Sequence, residues 1–290
     1  MAVRKDSPGE KRVVLAVDVG NTETSLGLFV DGALAATWTL TTPARLTEDE
    51  AFDAVLSSLE RMERRAEYRL WERAVLPEPG GGEPPFPSLP EPSDSVLSCV
   101  VPDLAAPWQA ALRLLTARRP LVVGPGIKTG IRMRYRDPGE IGADRMADLA
   151  ALCVDHELPA IVVDMGTTTN FEVVDGEGVF LGGVIAPGMA LGARSLAREA
   201  AKLPSIEVAA PKRVVGTCTR EAIQSGVVLG EIARIDGLID LIEHETGLSF
   251  SVIVTGTDAA AVAPLLRHEA QPDETLTLRG LARLHALNRR

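Results

Sequence analysis

Hydrophobic and polar positions along this chain follow two alternating periods. Val13 to Val17 (VVLAV) is a short β-branched run of the kind that forms a buried strand. Ser25 to Val30 reads as a second strand, Asp31-Gly32 supplies a hairpin turn, and Ala33 to Thr41 continues as a third. The period then lengthens. Phe52, Val55, Leu56, Leu59 and Met62 fall at helical spacing, and Thr47 with Glu50 fits a capping box, so a helix is predicted over Thr47 to Val75. Pro77 to Ser93 is dominated by proline and glycine and predicts a loop without packed structure. Val96 to Val101 predicts a strand, Pro107 to Arg118 a helix, and Pro120 to Val123 another strand. A helix after Gly142 carries Met146, Leu149, Ala150 and Cys153 on one side. Ala160 to Val163 and Val252 to Thr255 are further buried-strand runs, Thr219 to Glu245 is a long helical stretch, and Arg279 to Asn288 a final helix. The polar start, residues 1–11, predicts a disordered tail.

One pattern occurs twice. Leu15-Ala16-Val17-Asp18-Val19-Gly20-Asn21-Thr22 matches Ile161-Val162-Val163-Asp164-Met165-Gly166-Thr167-Thr168. Each copy is an apolar strand, Asp-x-Gly, a hydroxyl-rich turn and a second strand ending in Asp-Gly, at Asp31-Gly32 and Asp175-Gly176. The duplication predicts two similar α/β domains, 12–137 and 138–290, facing each other across a nucleotide cleft. Glycine lets backbone N–H groups approach an anion, Thr and Asn add donors, and an Asp at the strand end is placed to hold a cation that neutralises phosphate. A single Asp-x-Gly is also an ordinary hairpin turn, so the matched pair carries the inference.

Other stretches offer chemistry with a plainer alternative beside it. Tyr135-Arg136-Asp137-Pro138-Gly139-Glu140-Ile141-Gly142-Ala143-Asp144-Arg145 leads directly into a helix. One carboxylate beside one guanidinium suits a substrate with a hydroxyl to activate and a carboxylate to anchor. Asp144 as a helix cap with a solvated Arg145 fits the same residues. Gly182 to Gly188 reads as a glycine-rich loop near a nucleotide or as a plain turn. Thr219 fits a helix N-cap or a substrate contact, and Thr255-Gly256-Thr257 fits an adenine border or a turn.

Composition narrows the class. With 290 residues and 46% hydrophobic content, the chain is long enough for two domains and a substantial core. A net charge of −10 argues against nucleic-acid binding. The three cysteines, Cys99, Cys153 and Cys218, have no metal or disulfide spacing, and the four histidines form no zinc motif. Without a signal peptide or a membrane-length apolar run, the chain is expected to be soluble and cytoplasmic. P-loop, dinucleotide-binding and nucleophile-elbow motifs are absent.

Taken in order, several stretches resemble the type III pantothenate kinases, of the acetate/sugar kinase, Hsp70 and actin superfamily. They are DVGNTETSLGLF from Asp18, SCVVP from Ser98, KTGIRMRYRDPGEIGADR from Lys128, DMGTTTNFEVVD from Asp164, GGVIAPGM from Gly182, TREAIQSGVVLG from Thr219 and VTGTDA from Val254. The resemblance implies two duplicated ribonuclease H-like (actin-like ATPase) domains and ATP-dependent phosphorylation of pantothenate. It implies magnesium, a monovalent cation (potassium or ammonium) and a homodimer. By residue, it implies an ATP phosphate loop at Asp18, Gly20, Asn21, Thr22, Thr24 and Ser25, with Asp18 also managing the metal. Asp144 would be the general base. Tyr135, Gly142, Ala143, Asp144 and Arg145 would hold pantothenate. Asp164 would bind the monovalent cation and Thr167 would contact ATP. Thr219 would reach substrate from the partner subunit. The chain departs from the family at Glu23, Thr168, Asn170, Thr257 and the Pro-rich insert. A catalytically silent regulatory or binding paralogue and a same-fold kinase for another hydroxy acid are the alternative readings, and a phosphoanhydride hydrolase is a third.

Overall fold

Strand β1 (Val13–Val19) is buried along its length and pairs antiparallel with β2 (Glu23–Val30), which pairs with β3 (Ala33–Thr41). The computed structural model describes residues 12–74, 90–200 and 203–289. The expected tail at 1–11, the proline-rich stretch through residue 89 and the Met62 side chain lie outside the described residues. The β2–β3 turn places Asp31 at φ 51° and Gly32 at φ 85°, the two left-handed positions of a type I′ hairpin. Helix α1 (Glu48–Ala74) opens on the predicted capping box. Thr47 N–H donates to Glu50 Oε2 at 2.8 Å, and Glu50 N–H donates to Thr47 Oγ1 at 3.2 Å.

Strand β4 (Asp94–Cys99) runs parallel to β1, and β5 (Leu121–Val122) parallel to β4, giving the order β3-β2-β1-β4-β5. Helix α2 spans Pro102–Thr116, so it starts five residues before the predicted Pro107. Pro102 takes the first turn, where a missing N–H costs nothing, and Pro107 sits inside. Burying Leu104 together with Trp108, Ala111 and Leu112 outweighs the one hydrogen bond that Pro107 forfeits.

The second sheet repeats this plan. It contains β6 (Arg132–Met133), β7 (Ala160–Met165), β8 (Thr168–Val174), β9 (Val179–Pro187), β10 (Ser251–Gly256) and β11 (Ala270–Pro272). Their order is β11-β10-β7-β8-β9-β6. Strands β7, β8 and β9 form an antiparallel hairpin pair, and β10 and β11 follow parallel to β7. Thus β7, β8, β9, β10 and β11 take the places of β1 to β5, and the duplication seen in the motif extends to all five strands of the first sheet, with β6 an addition at the edge of the second. Gly182 to Pro187, expected as a loop, lies within β9, because its backbone completes the ladder with β8. The irregularity at Gly182 (φ 140°) coincides with a register shift opposite Val173 and Val174.

The remaining α-helices are α3 (Ala143–Asp155), α4 (Met189–Glu199), α5 (Thr219–Gln224), α6 (Gly230–Thr246), α7 (Ala259–Val262) and α8 (Leu276–Asn288), with short 3-10 turns at Pro138–Glu140 and Ala263–Leu265. The helix predicted over Thr219 to Glu245 is interrupted by a π-turn at Ser225–Leu229. Among the described residues, no helix is long and apolar enough to cross a membrane, and the three cysteines are unpaired.

The chain divides into two units. One runs to Ile127 and regains the chain from Leu281; the other is Lys128–Gly280. The expected boundary at 137/138 therefore shifts, because β6 pairs with β9 and carries residues from Lys128 into the second unit. The end of α8 belongs to the first unit, where buried His285 approaches Asp94 of β4 at 3.1 Å.

Candidate active site

The two glycine turns differ in length. In the first unit Gly20 N–H donates to the Glu23 carbonyl at 3.0 Å, and in the second Gly166 N–H donates to the Thr168 carbonyl at 2.9 Å. The pairs closing each hairpin are Val19–Thr24 and Met165–Thr169, so the first turn holds one residue more. Asp18, next to last in β1, is half-buried, with Ser25 opposite it on β2 and Ser98 beside it on β4. Asn21 and Thr22 are exposed on the turn, and Gly20 and Ser25 are half-buried. Thr24 points the other way. It is 1% exposed and its hydroxyl lies 2.8 Å from Thr42 Oγ1, so its side chain packs inward instead of lining the turn. In the second unit Asp164 and Thr167 are half-buried at the matching strand end and turn.

Asp144 and Arg145 sit at the second and third positions of α3, after Gly142 as N-cap and Ala143. Asp144 turns its carboxylate back, and Oδ1 accepts from the Arg145 N–H at 2.8 Å. One oxygen thus satisfies a first-turn donor, as the capping alternative required, although the N-cap is Gly142. A Cβ at Gly142 would fall 2.4 Å from that oxygen, so only glycine admits this carboxylate position.

Arg145 is not solvated. It is 5% exposed, and its Nε donates to Glu172 Oε1 at 2.7 Å. Its guanidinium lies 5.9 Å from the centre of the Phe180 ring, and Phe180 stacks on Tyr135 at 5.5 Å. Gly183 leaves the space, since a Cβ there would lie 2.8 Å from Arg145 Nη2. Arg145 is therefore fixed chiefly to Glu172, with Tyr135 as a further hydrogen-bond partner.

Four carboxylates share this region with one guanidinium. Asp148 is fully buried, one turn beyond Asp144, and its Oδ1 accepts from Thr277 Oγ1 at 2.6 Å. Burial, then the charges of Asp164, Glu172 and Asp144, push the Asp148 carboxyl well above its usual range. Burial, Glu172 and Asp144 raise Asp164 to about 7 against the easing effect of Asn170 and Arg145. Asp164 keeps part of its surface open yet lies deep among protein atoms. Glu172, buried completely, is raised to about 7 by desolvation and Asp144, although Arg145 opposes the shift. Asp148 Oδ2, Glu172 Oε2 and Asn170 Oδ1 are buried without a hydrogen-bond partner. Four carboxylates against one guanidinium leave surplus negative charge here, although among the described residues the trio of potential ligands within 4.8 Å of one another is Asp240, Glu243 and His268, none of them in this cluster.

Thr219 stands apart from this cluster in the described chain. It is the first residue of α5, exposed, with Cys218 as N-cap rather than Thr219 itself. Glu221 takes the capping role, its Oε2 accepting from Thr217 N–H at 2.7 Å and from Thr217 Oγ1 at 2.9 Å. Thr219 borders a shallow groove lined by Leu196, Leu203, Ala222 and Ile223.

Comparison with known proteins gives the family. The family model of the type III pantothenate kinases matches residues 14–241. The chain belongs to the type III pantothenate kinase family. The type III pantothenate kinase of Anaeromyxobacter dehalogenans is 36% identical over 277 residues, covering 96% of this chain and all of that protein. The enzyme of Halalkalibacterium halodurans is 34% identical over 280 residues, covering 95% and 100%. Among solved structures, a Baf family transcriptional activator from Campylobacter jejuni superposes with TM-score 0.53 at 18% identity, covering 94% of this chain and 97% of that one. The ethanolamine utilization protein EutJ from Carboxydothermus hydrogenoformans gives TM-score 0.52 at 15% identity, covering 96% and 91%. These two likenesses show the shared fold.

Motif reading singled out Asp144, Arg145 and Asp164 for a type III pantothenate kinase and took Gly183 as part of a glycine-rich loop, but it did not single out Glu172, Asp148 or Phe180, which the structure groups with Arg145. Two signals were present. Glu172 is a charged residue between Phe171 and Val173 in a strand that is otherwise apolar at that end. Asp144 and Asp148 are like charges four apart on an apolar helix, a pairing that isolated helices disfavour.

Proposed function

We infer that this chain transfers the γ-phosphoryl group of ATP to the primary hydroxyl of pantothenate, giving 4′-phosphopantothenate and ADP, the first step towards coenzyme A. Family membership supports the reaction, and the Asp144–Arg145 pair at the start of α3 is the observation that carries its mechanism. Asp144 Oδ1 is held by the Arg145 N–H, so Oδ2 is the oxygen that accepts the hydroxyl proton. The alcohol oxygen then attacks the γ-phosphorus in line, the bond to the β–γ bridging oxygen breaks, and ADP departs. Tyr135, Gly142, Ala143 and Arg145 form the pantothenate side in this reading. Arg145 contributes its positive charge and the donors that Glu172 does not occupy.

Asp18, Gly20, Asn21, Thr22 and Ser25 would carry the phosphate contacts, with Asp18 facing the magnesium that accompanies ATP, and Thr167 would add a contact. Asp164, with the buried oxygens of Asn170, Asp148 and Glu172 nearby, would hold a monovalent cation, which supplies charge neutralisation when bound. A homodimer places Thr219 of one copy at the substrate of the other. The absence of a membrane-length helix among the described residues fits a cytoplasmic enzyme.

An ADP-release assay with ATP and pantothenate, with and without potassium, tests the assignment. Asp144→Asn keeps the fold and lowers kcat by about 10²–10⁴-fold. Near-normal turnover in that variant removes Asp144 from the proton-transfer role, and ADP release independent of pantothenate indicates a hydrolase.

A further inference from the structure

We propose that Glu231, at the start of α6, is a positioning residue that sets the Gly166–Thr168 turn for the phosphates of ATP. The proposal rests on the assignment of that turn to ATP made above. Glu231 is a carboxylate only 4% exposed, on the element that follows the π-turn at Ser225–Leu229. Its Oε1 accepts from Thr169 Oγ1 at 2.5 Å, and its Oε2 pairs with Arg234. Arg234 Nη2 also donates to the Pro187 carbonyl at 2.5 Å.

These contacts grip both sides of the turn. Thr169 is the first residue after it and pairs with Met165, the last residue before the glycine. Pro187 lies opposite Thr168 in the β8–β9 ladder. The next residue, Gly188, donates its N–H to the Thr167 carbonyl at 3.0 Å. A Cβ at Gly188 would come within 2.3 Å of the Gly166 carbonyl, so this segment lies in direct contact with the turn. One buried carboxylate therefore fixes the turn directly through Thr169 and indirectly through Arg234, Pro187 and Gly188. Burying a carboxylate for stability alone is a poor bargain, because an apolar pair of similar volume does as well. Holding a backbone anion cradle rigid is a role that an apolar pair cannot supply. The π-turn places Glu231 at this depth, since the wide turn changes the helical phase of every later residue.

The test uses the full-length protein and Glu231→Gln. Glutamine keeps the volume and an acceptor for Thr169 but turns an amide donor towards Arg234, which releases Pro187. Calorimetry of MgATP binding without pantothenate is expected to show affinity about tenfold weaker, the size of one lost charge-assisted hydrogen bond. The KM for pantothenate is expected to stay within about twofold, a split that general loosening does not produce. Arg234→Gln, at a partly exposed side chain, is expected to shift ATP affinity in the same direction, and it decides the matter alone should Glu231→Gln not fold. A lowered melting temperature with unchanged MgATP affinity in both variants makes the network purely structural and overturns the proposal. Thr167→Ala separates the two levels. If it weakens MgATP while the Glu231 and Arg234 variants do not, the positioning role fails and the ATP assignment stands. If Thr167→Ala leaves MgATP affinity intact, the assignment of the turn fails, and the proposal with it.

Discussion

Replacing Gly183 by alanine puts one methyl group where the second sheet has no room. The new Cβ would lie 1.8 Å from the Phe171 carbonyl oxygen and 2.8 Å from Arg145 Nη2. Even close carbon–oxygen contacts between strands stay near about 3.3–3.6 Å, so β9 has to retreat from β8 by roughly 1.5 Å at this point. Overpacking of this kind costs about 1–3 kcal/mol. A strained or broken ladder bond adds about 1 kcal/mol. These two contributions come to about 2–4 kcal/mol with the Arg145–Glu172 pair intact, and losing that buried pair would add about 3–5 kcal/mol. At roughly 2–4 °C per kcal/mol for a body of this size, the first two contributions alone lower the melting temperature by roughly 4–16 °C.

The same shift reaches the chemistry. Asp144 Oδ1 is held by the backbone N–H of Arg145, so the displacement acts on the guanidinium, the proposed pantothenate anchor, and an error near 1 Å there is worth about 10²-fold in rate. Scanning calorimetry and steady-state ADP release on Gly183→Ala measure both effects. Gly192→Ala on α4 is the control, because nothing lies within 4 Å of its added Cβ. It should be neutral or gain about 0.5–1 kcal/mol as a helix-interior glycine replaced by alanine. A Gly183→Ala enzyme that melts within about 2 °C of wild type, with kcat/KM for pantothenate within about twofold, refutes the claim that this glycine seats the guanidinium.

Three further outcomes follow from the charged groups. Glu172 holds its proton up to about 7 in the fold against an ordinary 4.5, so it takes stability away as pH rises from about 4.5 through 7, and Asp164 acts in the same direction. Glu172→Gln should flatten the fall of melting temperature between pH 5 and 8, and an unchanged slope refutes this. Asp273 acts with the opposite sign: Arg279 and His156 hold it at about 2 despite its burial, so its stabilisation is present above about 4 and lost as pH falls through 2. Asp273→Asn should cost about 2 kcal/mol at neutral pH in urea titrations and flatten the acid limb; equal stability counts against that network. Potassium should raise the melting temperature more at pH 8 than at pH 5, because carboxylates must be deprotonated to hold it. An equal rise in Asp164→Asn would place the ion elsewhere.

Features written in local sequence were legible, and features decided by distant partners were not. The Asp31-Gly32 hairpin and the Thr47–Glu50 capping box depend on residues two or three apart, and both form as read. The start of α2 depended on what Leu104 packs against, and the proline signal alone pointed to the wrong residue. The glycines of β9 looked like a loop because their place in a ladder comes from β8. Strands β6 and β11, of two and three residues, have no periodicity of their own and exist through their neighbours.

The site shows the same division, and it shows what the breaches of local rules mean. Asp144 and Arg145 could be read as a motif, but the residue that fixes Arg145 lies on β8, 27 positions later. Helix α3 looked amphipathic, with one apolar side, yet residues Arg145 to Leu152 are all buried, including two charged side chains. The first hairpin carries no such burden: in β1 and β2 the buried positions are apolar apart from Thr24, whereas β8 buries Thr169, Asn170 and Glu172. A duplication conserved in topology has thus diverged in chemistry, with the second copy gathering carboxylates around a single guanidinium. Stability does not account for that gathering, since burial and mutual repulsion raise Asp148, Asp164 and Glu172 together. A fold that keeps such a cluster does so where charge is needed, and the proposed cation site and aspartate base beside a phosphoryl group in transit would supply that need.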